Sequence, residues 1–227
     1  MHYLYPNTVT DRLIETMASL PRVAPYVDMP LQHAHPETLK RMRRGGSAAS
    51  HLALLSRFRA SMPAAALRST FIVGFPGETD EEFEALLDFV DDARFDHLGV
   101  FTYSHETSTS AYALSDDIPA AVKEERRARV MARQQTIAFE RLARRVGSVE
   151  EVLVEGAHPD TDDLLVGRLV TQAPDVDGQV LINDGFVVDV EAGDVRLAAH
   201  ARPGAFARVE VTETAGYDLV GRIVGAA

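Results

Sequence analysis

No cysteine occurs among the 227 residues. That absence excludes disulfides, thiolate zinc sites, cysteine nucleophiles and cysteine-ligated clusters within the chain. Nor is there a run of about 18 uninterrupted apolar residues, so no membrane-spanning helix is expected. The opening Met1-His2-Tyr3-Leu4-Tyr5-Pro6 has neither the basic region nor the apolar run of a signal peptide. The expectation is a cytoplasmic protein without a membrane partner. Internal repeats and low-complexity linkers are also missing. Lysine is absent from residues 150–227, where five arginines (Arg168, Arg196, Arg202, Arg208, Arg222) face 15 acidic residues, a net charge of −10. Residues 1–149 carry 19 acidic and 18 basic side chains, a net of −1. Nucleic-acid binding draws most of its affinity from Lys and Arg on phosphates, so this tail suits a basic protein surface better than RNA. In the plainer reading the acidity only maintains solubility.

What is present reads as two domains. Through the first two-thirds, short apolar runs alternate with helical patterns, the signature of a parallel β/α architecture. Strands are expected at Tyr3–Tyr5, at Tyr26 to Leu31, at about Leu67 to Val73 and from roughly His97 to Tyr103. Thr10 caps an expected helix to about Leu20. Pro36 opens a second, which Gly45-Gly46 should end, and Ser47 caps a third that stops near Pro63. Further helices are expected over about Asp80 to Ala93 and from Pro119 to near Gly147. Beyond Gly147 the period changes to alternation, with turns at Asp177-Gly178, Asp184-Gly185 and Pro203-Gly204. About five short antiparallel strands there suggest a small β-barrel. The boundary is expected near 146–150, giving domains at 1–147 and 148–227.

The segment Ser69 to Phe83 (STFIVGFPGETDEEF) is the most informative. It joins an apolar strand to a helix whose start carries Thr79 and Glu82 at capping-box spacing. Gly74 and Gly77 allow a sharp turn at a C-terminal strand end, where β/α proteins place their ligands. No Gly-Lys-Ser/Thr follows and the dinucleotide fingerprint is absent, so the spacing names no ligand and also fits a purely structural turn. Gln32, His33 and His35 follow a second strand end and place hydrogen-bonding groups on the same rim, with Tyr103-Ser104-His105-Glu106 on a third. Arg68 would lie partly inside a barrel. An unpaired guanidinium is costly there, so a carboxylate is expected beside it, from a ligand or from a structural Asp or Glu.

These residues resemble a known family. Leu4-Tyr5-Pro6, Asp28 to His33, Met42-Arg43-Arg44, Arg68 to Thr79, Phe95 to Phe101, Tyr103-Ser104 and Gln134-Gln135 are similar, in order, to the methylthiotransferases of the radical S-adenosylmethionine (SAM) superfamily. Pro30-Leu31-Gln32-His33 and Leu98-Gly99-Val100-Phe101 resemble the ribosomal, RimO-like branch, which methylthiolates an aspartate of a small-subunit ribosomal protein. A sister branch modifies an adenosine of transfer RNA. Residues 150–227 resemble the family's TRAM domain, notably Ala173 to Gly178 and Tyr217 to Gly221. Glu106-Thr107-Ser108-Thr109 departs from the more usual Glu-Glu-Gly-Thr. The resemblance implies an α/β fold: the C-terminal portion of a (β/α)6 partial TIM barrel, about strands 3–6, followed by an all-β, OB-like TRAM barrel.

It also implies cofactors. The intact enzymes hold two 4Fe-4S clusters on cysteines that would precede residue 1 of this chain, so the chain itself ligates none and has no metal site. SAM would meet the Gly74-Phe75-Pro76-Gly77 loop near its adenosyl group, with Gln32, Arg68 and Thr70 as polar contacts. Three readings follow. The chain is part of a ribosomal-protein aspartate methylthiotransferase whose remainder comes from a longer product or a second chain, its acidic TRAM domain drawing a basic ribosomal protein. Alternatively it belongs to the transfer-RNA branch, or it is a non-catalytic remnant whose TRAM domain binds a partner. Alone, the chain is expected to be inactive, poorly soluble or oligomeric, and without a cluster.

Overall fold

The computed structural model describes the backbone of residues 1–191 and 194–227; the side chains of residues 162 and 188–196 lie outside that description. It divides into two compact units, Met1–Ile137 and Ala138–Ala227.

In the first unit, helix α1 (Asp11–Ser19) begins where the Thr10 hydroxyl accepts the Leu13 N–H, and buries Ile14 and Met17. Strand β1 (Tyr26–Asp28), helix α2 (Pro36–Arg41), helix α3 (Ala48–Ser61), strand β2 (Ala66–Val73), helix α4 (Asp80–Ala93), strand β3 (His97–Thr102) and helix α5 (Ala120–Ala143) follow, α5 running past the end of this unit at Ile137. The strands form a parallel sheet in the order β1-β2-β3. Strand β2 alternates cleanly: Leu67, Ser69, Phe71 and Val73 are buried, whereas Arg68, Thr70 and Ile72 are half-buried on the opposite face. Helices cover the first face. There Phe71, Phe89 and Phe95 meet with centroids 5.9–6.0 Å apart, and each fully buried Phe contributes roughly 1.5–3 kcal/mol.

Three expectations shift. Tyr3–Tyr5 is not a strand but a bulged, strand-like pairing: Asp28 N–H donates to the Met1 carbonyl and Leu4 N–H to the Asp28 carbonyl, both at 3.0 Å. That spacing leaves one residue more than a regular parallel ladder holds, and Tyr3 takes it up at φ 60°. The strand at Tyr26 shortens to Asp28, the chain then touching β2 again through the Gln32–Phe71 bridge. Helix α2 ends at Arg41, before the glycine pair, because Arg43 at φ 56° already reverses the chain.

The second unit holds a closed five-stranded barrel in the order β10-β6-β5-β4-β9, from β4 (Val149–His158), β5 (Thr161–Leu169), β6 (Val180–Asp184), β9 (Phe206–Ala215) and β10 (Asp218–Ala226). Strands β7 (Val187–Glu191) and β8 (Asp194–Leu197) form a separate hairpin. Inward residues alternate along the barrel strands: Val152 and Val154, Val180 and Ile182, and Ala207, Val209 and Val211 are all below 2% exposed. The expected antiparallel pattern holds except at closure, where β10 runs parallel to β6. At that seam Gly178 is required, because a Cβ there would stand 2.0 Å from the Tyr217 carbonyl oxygen.

Candidate functional site

The loop between β2 and α4 is fixed by two buried glutamates. Glu78, with a fully buried side chain, accepts the Gly74 N–H on Oε2 at 3.0 Å and the Arg126 Nη1 on Oε1 at 2.8 Å. Its own N–H donates to the Phe75 carbonyl at 2.9 Å. Arg126, from α5, also reaches the Glu78 carbonyl at 3.1 Å and Asp80 at 2.7 Å. His33 is wholly buried beside this pair; its Nδ1 accepts the His35 N–H at 3.0 Å, and its Nε2 lies 3.6 Å from Glu78 Oε2.

Glu82 completes the capping box with Thr79 and takes a two-pronged contact from Arg41 and a 3.0 Å bond from the Thr38 hydroxyl. Burial alone would raise its pKa; the bonds from Arg41, the Thr79 N–H and Thr38 outweigh this and hold it below the usual carboxylate range. Both glutamates thus tie the loop to helices distant in sequence.

Gly74 sits at φ 71°, and a Cβ there would lie 2.3 Å from Lys123 Cγ. The Lys123 ammonium bonds Asp116 at 2.5 Å and lies 5.1 Å from the Tyr103 ring centre. Gly77, at φ 73°, donates to Asp117 at 3.0 Å. Phe75 meets Tyr103 edge-on at 5.0 Å.

Beside the loop is a cavity of about 310 Å3, lined by Gln32, Arg41, Met42, Arg44, Ile72, Phe75, Thr109, Ser110 and Ala111. Its size is at the lower end for small-ligand sites. Gln32 lies there at φ 72°, held by its N–H to the Thr70 carbonyl and by the Ile72 N–H to its own carbonyl, both 2.9 Å. A non-glycine residue in the left-handed region persists only when its surroundings over-determine it, and such residues concentrate at functional sites.

Of the residues singled out from sequence, the cavity brings together Gln32 and Phe75, while Gly74 and Gly77 shape the adjoining loop. Thr70 and Arg68 lie further down the Ile72 face of β2. At about 3.3 Å per residue, Arg68 starts roughly 13 Å from Ile72 along the strand. Arg68 pairs with the buried Asp28 at 3.2 Å, which supplies the structural carboxylate. Glu78, Arg126, Arg41 and Arg44 were not singled out for the site, since their partners or cavity neighbours are remote in sequence; for Glu82 the capping-box spacing was the signal.

With no cysteine in the chain, and no cluster of three His, Asp or Glu poised for a metal among the described residues, these residues do not fit an iron–sulfur cluster. The lining suits part of a nucleoside-bearing ligand in its chemistry, since it combines apolar Ile72, Phe75 and Met42 with polar Gln32. No helix of the described residues is long and apolar enough to cross a membrane.

A family model described as the radical SAM superfamily matches residues 2–90, and one described as the TRAM domain matches residues 146–224. Proteins named ribosomal protein uS12 methylthiotransferase RimO align along nearly the whole chain. That of Anaeromyxobacter sp. (strain K) is 46% identical over 224 residues, covering 99% of this chain and 45% of its own length. The one from Myxococcus xanthus (strain DK1622) is 46% identical, covering 99% and 44%. The one from Roseiflexus castenholzii (strain DSM 13941 / HLO8) is 48% identical over 226 residues, covering 98% and 44%. The chain therefore spans less than half the length of these curated relatives. Among solved structures, the coproporphyrinogen III oxidase of Escherichia coli, described as a radical SAM enzyme, aligns over 75% of this chain and 46% of its own at TM-score 0.48 and 18% identity, too slight a likeness to carry an argument.

Proposed function

We propose, starting from a chain that belongs to the radical SAM proteins carrying a TRAM domain, that it forms part of a ribosomal-protein aspartate methylthiotransferase. The observation that carries this reading is the 46–48% identity, along nearly all of the chain, to proteins named for that activity on uS12. The radical SAM segment is taken as 1–147 and the TRAM domain as 148–227.

In this reading the chain contributes the SAM side of the site. Gln32 offers its carboxamide to the ligand, Phe75 and Ile72 wall the adenosyl group, and Gly74 and Gly77 let the loop approach closely because Glu78 and Arg126 clamp it from beneath. Thr70 lies next along the same sheet face. Arg68, paired with Asp28, lies further along that face. SAM, when bound with clusters supplied by polypeptide other than these 227 residues, provides the radical chemistry; the chain's own residues bind and orient it.

The TRAM barrel supports the ribosomal substrate over transfer RNA. Its net −10 includes exposed Glu151, Asp163, Asp175, Asp184 and Glu213, against few arginines, of which Arg168 and Arg222 are already paired with Glu155 and Glu210. Such a field attracts a basic protein and repels phosphate. Titration of the chain with uS12 and with transfer RNA at matched salt tests this. Salt-sensitive uS12 binding with little RNA binding is expected; the reverse order overturns the branch assignment. Equilibrium dialysis against SAM tests the cofactor assignment, which fails if the chain retains none.

A further inference from the structure

Arg44 lines the cavity without a counter-ion among the described residues. It is half-buried, and among the described residues its one hydrogen bond is from Nη2 to the Pro30 carbonyl at 3.0 Å. Its guanidinium lies 5.0 Å from the Tyr5 ring centre, and no carboxylate pairs with it among the described residues. A guanidinium has five N–H donors, so most of its capacity is unspent. Arg41, the other cation of the cavity, differs in that Glu82 neutralises it. The same cavity is lined by Gln32, whose carboxamide makes no hydrogen bond among the described residues, and by the exposed Ser110. A partly desolvated cation that shares a cavity with two neutral donors is an arrangement an anion satisfies, and the planar guanidinium fork matches a carboxylate. Burial also lowers the Arg44 pKa from its ordinary value, as an unpaired cation should show.

We propose that this cavity binds a carboxylate, with Arg44 as its counter-ion and Gln32 and Ser110 as supporting donors. The inference deepens the function proposed above, and rests on it only for the two sources of that carboxylate: the aminobutyrate end of SAM, or the side chain of the target aspartate.

The test is calorimetric or NMR titration of the 227-residue chain with four probes. Capped aspartate (N-acetyl, C-amide) is set against capped asparagine, and SAM against 5′-methylthioadenosine, which lacks the carboxylate. At least one carboxylate probe should bind about tenfold or more tightly than its neutral counterpart, as a charge-assisted hydrogen bond predicts. Arg44→Met, which keeps an apolar stem beside Tyr5, should abolish that preference, and Arg44→Lys should retain part of it. Melting curves confirm that each variant folds, and Gln32→Asn, which tolerates φ 72°, gives an independent weakening. Preference within the aspartate pair assigns the cavity to the target side chain; preference within the nucleoside pair assigns it to SAM. Equal binding within both pairs, or a preference that survives Arg44→Met, overturns the proposal while leaving SAM binding intact. Failure of both nucleosides to bind removes the SAM reading instead, and the aspartate pair then decides this one alone.

Discussion

Replacing Arg126 by Met isolates what holds the strand-end loop in place. The variant keeps an apolar stem near the Phe83 ring, now 5.3 Å from the guanidinium, and deletes the charge. Glu78, whose side chain is wholly buried, then retains only the Gly74 N–H at 3.0 Å as a hydrogen-bond donor. An ion left unpaired in such surroundings destabilises by about 3–5 kcal/mol. The second ion pair of Arg126 adds little, because Asp80 is 91% exposed and exposed pairs are worth at most about 1 kcal/mol. Urea unfolding should therefore show a loss of about 3–5 kcal/mol, and NMR-detected hydrogen exchange a loss of protection at the Gly74 amide. Glu78→Gln with Arg126→Met should be less destabilised than Arg126→Met alone, since the stranded charge is gone. A cost below about 1 kcal/mol with Gly74 still protected would refute the clamp.

Four further outcomes are expected. His51, 2% exposed with neither ring nitrogen hydrogen-bonded, has its pKa lowered to about 4 by burial and, secondarily, by Arg44. The unfolded state then binds the extra proton, so stability is complete above about pH 6.5 and falls by about 3 kcal/mol towards pH 4. Urea unfolding across that range should lose most of this slope in His51→Leu; an unchanged slope rejects the assignment. Glu82, its pKa held low, contributes a separate loss only as pH falls below its unfolded value of 4.5. Gly74→Ala combines a left-handed backbone with a 2.3 Å approach to Lys123 Cγ and should cost about 2–4 kcal/mol in thermal melts. Gly178→Ala meets backbone that cannot yield, and should expose the Leu219 amide, which donates to the Gln179 carbonyl at 3.0 Å, to exchange.

What the sequence revealed divides by the range of the interaction. The Thr79–Glu82 capping box is a three-residue pattern and was readable directly. So was the alternation along the barrel strands, because a period of two needs no knowledge of neighbours. The parallel seam between β6 and β10 was not readable, since it depends on which strands meet when the barrel closes. Arg68 shows the intermediate case. Its chemistry demanded a carboxylate, but choosing Asp28, 40 positions away, required the parallel register of β1 on β2.

Local signals misled where one residue departs from the run around it. Tyr3–Tyr5 is apolar and ends at a proline, as a strand should, yet one positive φ converts the ladder into a bulge. His33 read as a rim group with Gln32, and the two diverge at the left-handed turn of Gln32: Gln32 lines the cavity and His33 is buried beside Glu78. Arg44 carries the same lesson. As part of Met42-Arg43-Arg44 it was a fragment of a family pattern. The reversal at Arg43 brings it to the cavity with its donors unspent, and only that placement turns a basic residue in a loop into a binding group.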